Sequence, residues 1–347
     1  LSKGVVTVRE EDVQFVLDMN RRITLSGMDK GGACFGAINR IYYLIWVRDG
    51  SMAACHMGLA GNPDFLRTWA PFLLTNPAET RLDDGRTVRE FTQMVGTRWT
   101  KSEDDGLFYA MWTAYTHFRC TGDDTLLRGP QMPLLLECLD AQLEKCWDAE
   151  LGMMGSDTIG EDPLPSSPYY GYDIVNGSMS RHRHTDEEGR AAIARSHSLY
   201  HQVNTYNALM MALCLMDERP QPDRERAARY AQIAVRIGQT LRDRFVDPEG
   251  HLYSMYFVCA DGSDAWLGIE KGMDYWEYGW AVSQGPFFPL PEHQLASCRE
   301  HFDKWESIAG TYGYCPWNVM ARSLLGYGMT SAEHRAMLQR EVEEAML

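Results

Sequence analysis

The feature that most constrains this chain is a recurring alternation: an amphipathic helical segment, a polar loop, then another helical segment, from end to end of 347 residues. Residues 8–24 carry apolar side chains at helical spacing, with acidic residues early and arginines late, as the helix dipole prefers. After an extended-looking 41–47, the pattern predicts helices over about 51–59, 64–75, 102–120, 131–147, 196–217 and 223–246. Further helices are expected over 292–304, 317–326 and 331–346, with a short aromatic helix or turn at 275–284. Residues 86–99 read as a hairpin or extended loop, 150–195 as a long insert rich in Gly, Pro, Ser and Tyr, and 251–258 as extended. The tally is about eleven helices with hardly any strand.

No short-period repeat is visible, which argues against a solenoid of identical units. The remaining way to bury so many helices in one unit is a closed ring of hairpins, an inner circle inside an outer one. The 196–217 segment is apolar or small nearly all round, as an inner helix must be, whereas 223–246 and 331–346 carry a charged face. The expectation is one all-α domain over 1–347, a toroid of helical hairpins, and the chain opens on Leu, which fits a trimmed end.

Composition narrows the partners. The formal net charge of −15 argues against nucleic acid or an anionic membrane surface. The basic run Arg181-His182-Arg183-His184 is followed at once by Asp186-Glu187-Glu188 and reads as a solvated loop. No segment reaches about 18 uncharged apolar residues, so no span is predicted, and no signal peptide is recognisable. Nine cysteines stand scattered without a CxxC pair, which argues against a zinc ribbon or disulfide scaffold and for a reducing, cytoplasmic setting. Cys55, Cys138 and Cys214 fall in apolar helical stretches, where Cys acts as a small hydrophobe.

In a ring of hairpins, the loops entering inner helices converge at one end of the axis. Those loops here are the Arg48-Asp49 stretch, Lys101 to Asp105, the 150–195 insert, 259–278 and Gly310 to Trp317. The stretch Leu44 to Ala53, LIWVRDGSMA, ends an apolar run in a cation and an anion. Two readings compete: an internal ion pair that positions a helix start, or a grip on something entering from outside.

Trp46-Val47-Arg48-Asp49-Gly50 resembles the W-x-R-D signature before the second helix of the glucoamylase-like six-hairpin glycosidases. Glu103-Asp104-Asp105-Gly106 followed by Phe108-Tyr109-Ala110-Met111-Trp112 is similar to that family's D-x-D-G…W helix entry. Asn204 to Leu209, a charged helix closing on Arg244-Phe245 and a Tyr-rich strand resemble its midpoint. The resemblance implies that Arg48 and Asp49 hydrogen-bond hydroxyls of the sugar whose bond is cut. A pyranose hydroxyl both donates and accepts, and the fork of an arginine beside a carboxylate can hold neighbouring hydroxyls.

Glycoside hydrolysis needs one carboxylic acid to protonate the leaving oxygen and a second carboxylate to activate water or attack carbon. The resemblance puts the acid in the loop after the fifth helix, here Gly155-Ser156-Asp157-Thr158-Ile159-Gly160-Glu161. The Trp-Glu-Glu of glucoamylases proper is missing there. Asp157 matches the trehalase and glucosidase arrangement, Glu161 is its rival, and a turn-forming role among Gly and Pro is the plain alternative for both. The resemblance implies an (α/α)6 toroid of twelve helices with the base between the eleventh and twelfth, so the twelfth is either unrecognised upstream or beyond Leu347. Within this chain Glu277 and Glu270 are substitutes, although Glu277, among Trp276 and Tyr278, suits an acid or a hydroxyl ligand better than a base.

Asp104 and Asp105 are expected substrate ligands. Trp46, Trp112, Tyr169, Tyr170, Tyr172, Trp276 and Trp317 are candidate stacking faces, with core packing the better role for Trp112. His197 and His201 stand four apart on one expected helix face, but without an HExxH motif or a cysteine ligand set. A helix-entry or core role is favoured over metal binding. No metal or cofactor is expected.

The function expected is an inverting, exo-acting glycoside hydrolase on an α-linked glucoside or similar neutral oligosaccharide. An inverting sugar phosphorylase on the same ring needs no base and would use Arg181, Arg183 or His184. A non-catalytic glycan-binding ring is the third reading. A terpene-type cyclase is disfavoured by the absence of repeated Gln-Trp motifs.

Overall fold

The computed structural model describes residues 45–59, 61–81, 84–96, 105–155, 158–159, 162–163, 171–173, 178–180, 193–246, 253–259, 262–268 and 287. The expected helices at 8–24, 292–304, 317–326 and 331–346, the segment 275–284 and the basic run 181–184 lie outside them.

The described residues are mostly helical. Helix α1 spans Val47–Leu59 and α2 Asp64–Leu74. A hairpin of β1 (Ala78–Arg81) and β2 (Thr87–Glu90) follows, then α3 (Gly106–Thr121), a single turn α4 (Thr125–Arg128) and α5 (Gln131–Cys146). Short antiparallel pairs come next: β3 (Trp147–Asp148) with β4 (Met153–Met154), β5 (Thr158–Ile159) with β6 (Asp162–Pro163), and β7 (Gly171–Asp173) with β8 (Ser178–Ser180). Strand β9 (Ile193–Ser198) runs straight into α6 (Leu199–Asp217). After α7 (Arg224–Asp243), β10 (Tyr253–Cys259) and β11 (Asp264–Gly268) complete a three-stranded antiparallel sheet ordered β11-β10-β9.

Helices α1, α3 and α6 pack side by side. Arg48 near the start of α1, Asp105 before α3 and Tyr200 in the first turn of α6 are bonded to one another, so the three N-terminal ends meet. The helices then run in the same direction. A methyl placed on Gly58, late in α1, would sit 3.7 Å from Cys120 Sγ, late in α3. Tyr115 of α3 and Asn207 of α6 both meet Phe287. Helix α6 hides fourteen of its nineteen residues. The hairpin partners of α1 and α6, helices α2 and α7, run alongside. Helix α7 buries only a stripe, including Tyr230, Ala234, Ile237 and Leu241 at helical spacing. This contrast between a helix buried nearly all round and one buried along a stripe agrees with the sequence reading of 196–217 and 223–246.

Small residues set the closeness of packing. A Cβ on Gly50 would lie 2.2 Å from the Trp69 ring, so α2 lays its indole on bare α1 backbone, and Trp69 Nε1–H donates to Ser51 Oγ at 3.2 Å. At the far end of α3, Gly122 adopts φ +67°, a left-handed stop that lets its N–H reach Phe118 O at 2.8 Å.

Several expectations need correction. Helix α1 starts at Val47, not Ser51, directly after the strand-like bridge of Trp46 to Met94; Arg48 and Asp49 therefore belong to a helical first turn rather than a preceding loop. The 86–99 hairpin begins earlier, at Ala78. The chain holds more strand than expected, since apolar periodicity cannot reveal two-residue pairs. The helix expected from 196 begins at Leu199: Ile193–Ser198 is ladder-paired to β10, with Met255 opposite Ser198. His197 is thus a strand residue and shares no helix face with His201. Tyr172 lies on β7 rather than in a loop.

Candidate functional site

The site is built where α1, α3 and α6 begin. Val47 N–H donates to Gln93 O at 2.9 Å and Val95 N–H to Ile45 O at 3.0 Å, which ties the entry to α1 against the strand-like 93–95. Chain 91–92 in turn crosses the start of α3 so closely that a Cβ on Gly106 would lie 2.4 Å from Phe91 O and 2.7 Å from Thr92 O. The glycine of the Asp-Asp-Gly motif is explained by this crossing.

Asp105 occupies the N-cap position of α3, but its side chain makes no capping bond. Its Oδ2 instead accepts from Arg48 Nε at 2.9 Å and from the Tyr200 hydroxyl at 2.7 Å. The Tyr109 and Tyr200 hydroxyls lie 3.4 Å apart. All four side chains are buried, Asp105 at 1% exposure and Arg48 at 7%. Buried charges persist only when paired and hydrogen-bonded, and both bonds fall on a single oxygen. Burial pushes the Tyr200 hydroxyl well above the ordinary tyrosine range, with the Asp105 charge and Tyr109 adding to it, so it stays a donor at working pH.

The expected Arg48-Asp49 partnership is redirected: the cation pairs with Asp105, while Asp49 exposes its side chain. Surrounding protein pushes the Asp49 carboxyl above the usual range; Arg48 pulls it back, and Asp105 raises it further.

The first turn of α6 also holds the opposite side. Ser198 caps the helix by accepting from His201 N–H at 3.0 Å. His201 Nδ1 donates to Gly155 O at 2.9 Å, which leaves Nε2 to accept from the Gln142 amide at 2.8 Å. Gln202 accepts from Met154 N–H at 2.6 Å and returns a bond to Met154 O at 2.8 Å. His197 Nδ1 donates to the same carbonyl at 3.1 Å, and burial drives its pKa down to about 4. The strand end Met154-Gly155 is thereby fixed against α6, two residues before Asp157. One turn along, Asn204 is buried with its amide unpartnered, in a crevice lined by Leu107, Phe108 and Gln142.

Of the candidate site residues, the structure brings Arg48 and Asp105 together, with Asp49 beside them. Trp46 is half-buried at the entry to α1, and Trp112 is packed between His56 and Phe108 in the core. Asp104, Asp157, Glu161, Tyr169, Tyr170, Glu270, Trp276, Glu277 and Trp317, and the Tyr172 side chain, lie outside the described residues. Sequence reading missed Tyr200, Tyr109, Gln202 and Gln142. The available signal was the dense polar run Ser196 to Gln202 at the head of an otherwise apolar helix. Among the described residues no group of three or more His, Cys, Asp or Glu is placed to hold a metal. No helix among them is long and apolar enough to cross a membrane.

No protein family and no curated protein sequence matches the chain. Solved structures do. Two glycosidases, each solved as a single-residue variant, align over 97% of this chain and 84% of their own with a TM-score of 0.57, at 16% and 15% identity. A third glycosidase variant aligns over the same shares at 0.56 and 15%. The chain therefore has a glycosidase-like, mainly helical fold.

Proposed function

We propose that this chain is a glycoside hydrolase built on a single six-hairpin helical ring of the glucoamylase-like kind, inverting and exo-acting on an α-linked glucoside or similar neutral oligosaccharide. The observation that carries the reading is the meeting of three helix starts around Arg48, Asp105 and Tyr200 in a fold shared with glycosidases. In this reading Asp49 and Arg48 hold hydroxyls of the terminal sugar, and Asp105 supports them from behind. Trp46, Tyr170, Tyr172, Trp276 and Trp317 offer stacking faces. Asp157 protonates the leaving oxygen, with Glu161 as its rival, and Asp104 and Glu277 bind hydroxyls.

The chemistry follows from charge. The glycosidic bond breaks through an oxocarbenium-like state, so positive charge develops on the sugar as the acid gives its proton to the leaving oxygen. A second carboxylate draws a proton from water attacking the opposite face, and the configuration inverts. Asp49 and Asp105 set two carboxyl groups beside the Arg48 guanidinium, a setting that supports a developing cation better than a phosphate.

The test is turnover of a panel of aryl and oligosaccharide glycosides by the full chain, with the anomer released followed by NMR. The reading expects one glycoside class to be hydrolysed with inversion, and Asp157→Asn to abolish turnover while sugar binding persists. Failure to hydrolyse any glycoside would overturn it; an active Asp157→Asn would transfer the acid role to Glu161.

A further inference from the structure

The glycosidase reading leaves the tyrosines of the buried cluster without a task. Tyr200 is not needed to cap α6, since Ser198 does that, nor to fill an apolar gap, which phenylalanine would fill equally. Its hydroxyl reaches 2.7 Å to the one oxygen of Asp105 that also receives Arg48 Nε. A guanidinium and carboxylate paired for stability alone would more commonly meet fork to fork. Here the carboxylate binds the arginine side-on and the tyrosine closes the arrangement, with the Tyr109 hydroxyl 3.4 Å behind it.

We propose that Tyr200 is a positioning residue for sugar binding: it fixes the Asp105 carboxylate, and through it the Arg48 guanidinium and the first turn of α1 that carries Asp49. The proposal rests on the glycosidase reading and extends it to Tyr200, which the sequence motifs do not include. The three helices do not share a continuous backbone at this end. Backbone bonds to Gln93 and Val95 hold the entry to α1, and the side-chain bonds among Arg48, Asp105 and Tyr200 add the direct link of that turn to α3 and α6. A misplacement of about 1 Å at such a turn is enough to weaken a multi-hydroxyl grip strongly. Tyr109 plays the lesser part, because its hydroxyl touches Tyr200 rather than the carboxylate.

The test is a kinetic cycle on the hydrolysed glycoside, using wild type, Tyr200→Phe, Asp105→Asn and the double variant. Tyr200→Phe should raise KM about tenfold, as expected for a lost hydrogen bond to a charged group, with kcat within about twofold. Because Tyr200 acts through Asp105, the double variant should show the KM of Asp105→Asn alone. Tyr109→Phe, the milder change, should raise KM by less than Tyr200→Phe. Multiplying effects in the double variant, or an unchanged KM in Tyr200→Phe with only the melting temperature lowered, would overturn the inference and leave the glycosidase reading intact. A wild type inert toward every glycoside would overturn both.

Discussion

His201 donates from Nδ1 to the carbonyl oxygen of Gly155 at 2.9 Å. The bond ties the head of α6 to the strand end from which the 156–170 segment departs, and Gln142 secures the other ring nitrogen. Replacing His201 by Ala takes a donor from the half-buried Gly155 carbonyl and an acceptor from the Gln142 amide. His201→Ala should lower unfolding free energy by about 1–3 kcal/mol in urea titration, and it should reduce kcat more than it changes KM. A variant with wild-type stability would mean that Gly155 finds another donor.

Gly106 permits the crossing of chain 91–92 over the start of α3. The obstacle to a side chain is backbone oxygen at 2.4 Å and 2.7 Å, which cannot swing aside. Gly106→Ala should cost about 1–3 kcal/mol or more through overpacking and should impair sugar binding as well, because Asp105 is the next residue. Gly122→Ala, remote from the site and opposed only by its positive φ, should cost stability while leaving binding unchanged. Thermal melts and a binding titration on both variants separate the two cases.

His197 gives the protein an acid-sensitive term. Its pKa is lowered by burial from the ordinary 6.5 to about 4. Above pH 6.5 both folded and unfolded chains carry it neutral, so this contribution is fully present. As pH falls from 6.5 toward 4 the unfolded chain takes up a proton that the folded one refuses, and stability is lost. The loss is at most about 3 kcal/mol. Denaturant unfolding of His197→Gln should show a shallower decline over that window; an unchanged slope would assign the loss to other groups.

Thiol chemistry should separate the cysteines. Cys55 and Cys138 are buried, and burial pushes both thiols up to about 12, whereas Cys214 is exposed. Since the thiolate is the reactive form, brief alkylation at neutral pH followed by mass spectrometry should mark Cys214 well before Cys55 or Cys138.

How much of this was legible beforehand follows from what pattern can encode. Periodicity revealed α7, because its buried residues repeat at helical spacing. It also revealed α2 and α5 nearly to the residue. The same signal placed the start of α1 four residues late, since Trp46 and Val47 look extended whether they pair or coil. It extended α6 backwards over β9, where Ile193-Ala194-Arg195-Ser196-His197-Ser198 shows no polar and apolar alternation to betray a strand. The motif residues Arg48 and Asp105 were legible as an important pair of places, but their ion pair was not. Contact across 57 positions depends on how helices pack, and nothing local to Arg48 distinguishes Asp105 from neighbouring Asp49. Tyr200 stood out only as part of the polar run Ser196 to Gln202, and its bond to Asp105 was hidden for the same reason. The exposed side chain of Cys214 also departs from expectation, because an apolar run does not say which face of α6 turns outward there.

The central claim is that the meeting point of the three helix starts holds a sugar. The most direct measurement is a crystal structure of the full chain soaked with the monosaccharide it releases or a matching iminosugar. The account predicts density for one ring with a hydroxyl within hydrogen-bond distance of Asp49 and the Asp105–Tyr200 bond intact behind it. A ring bound elsewhere, with the surface beside Asp49 closed off by protein, would contradict it.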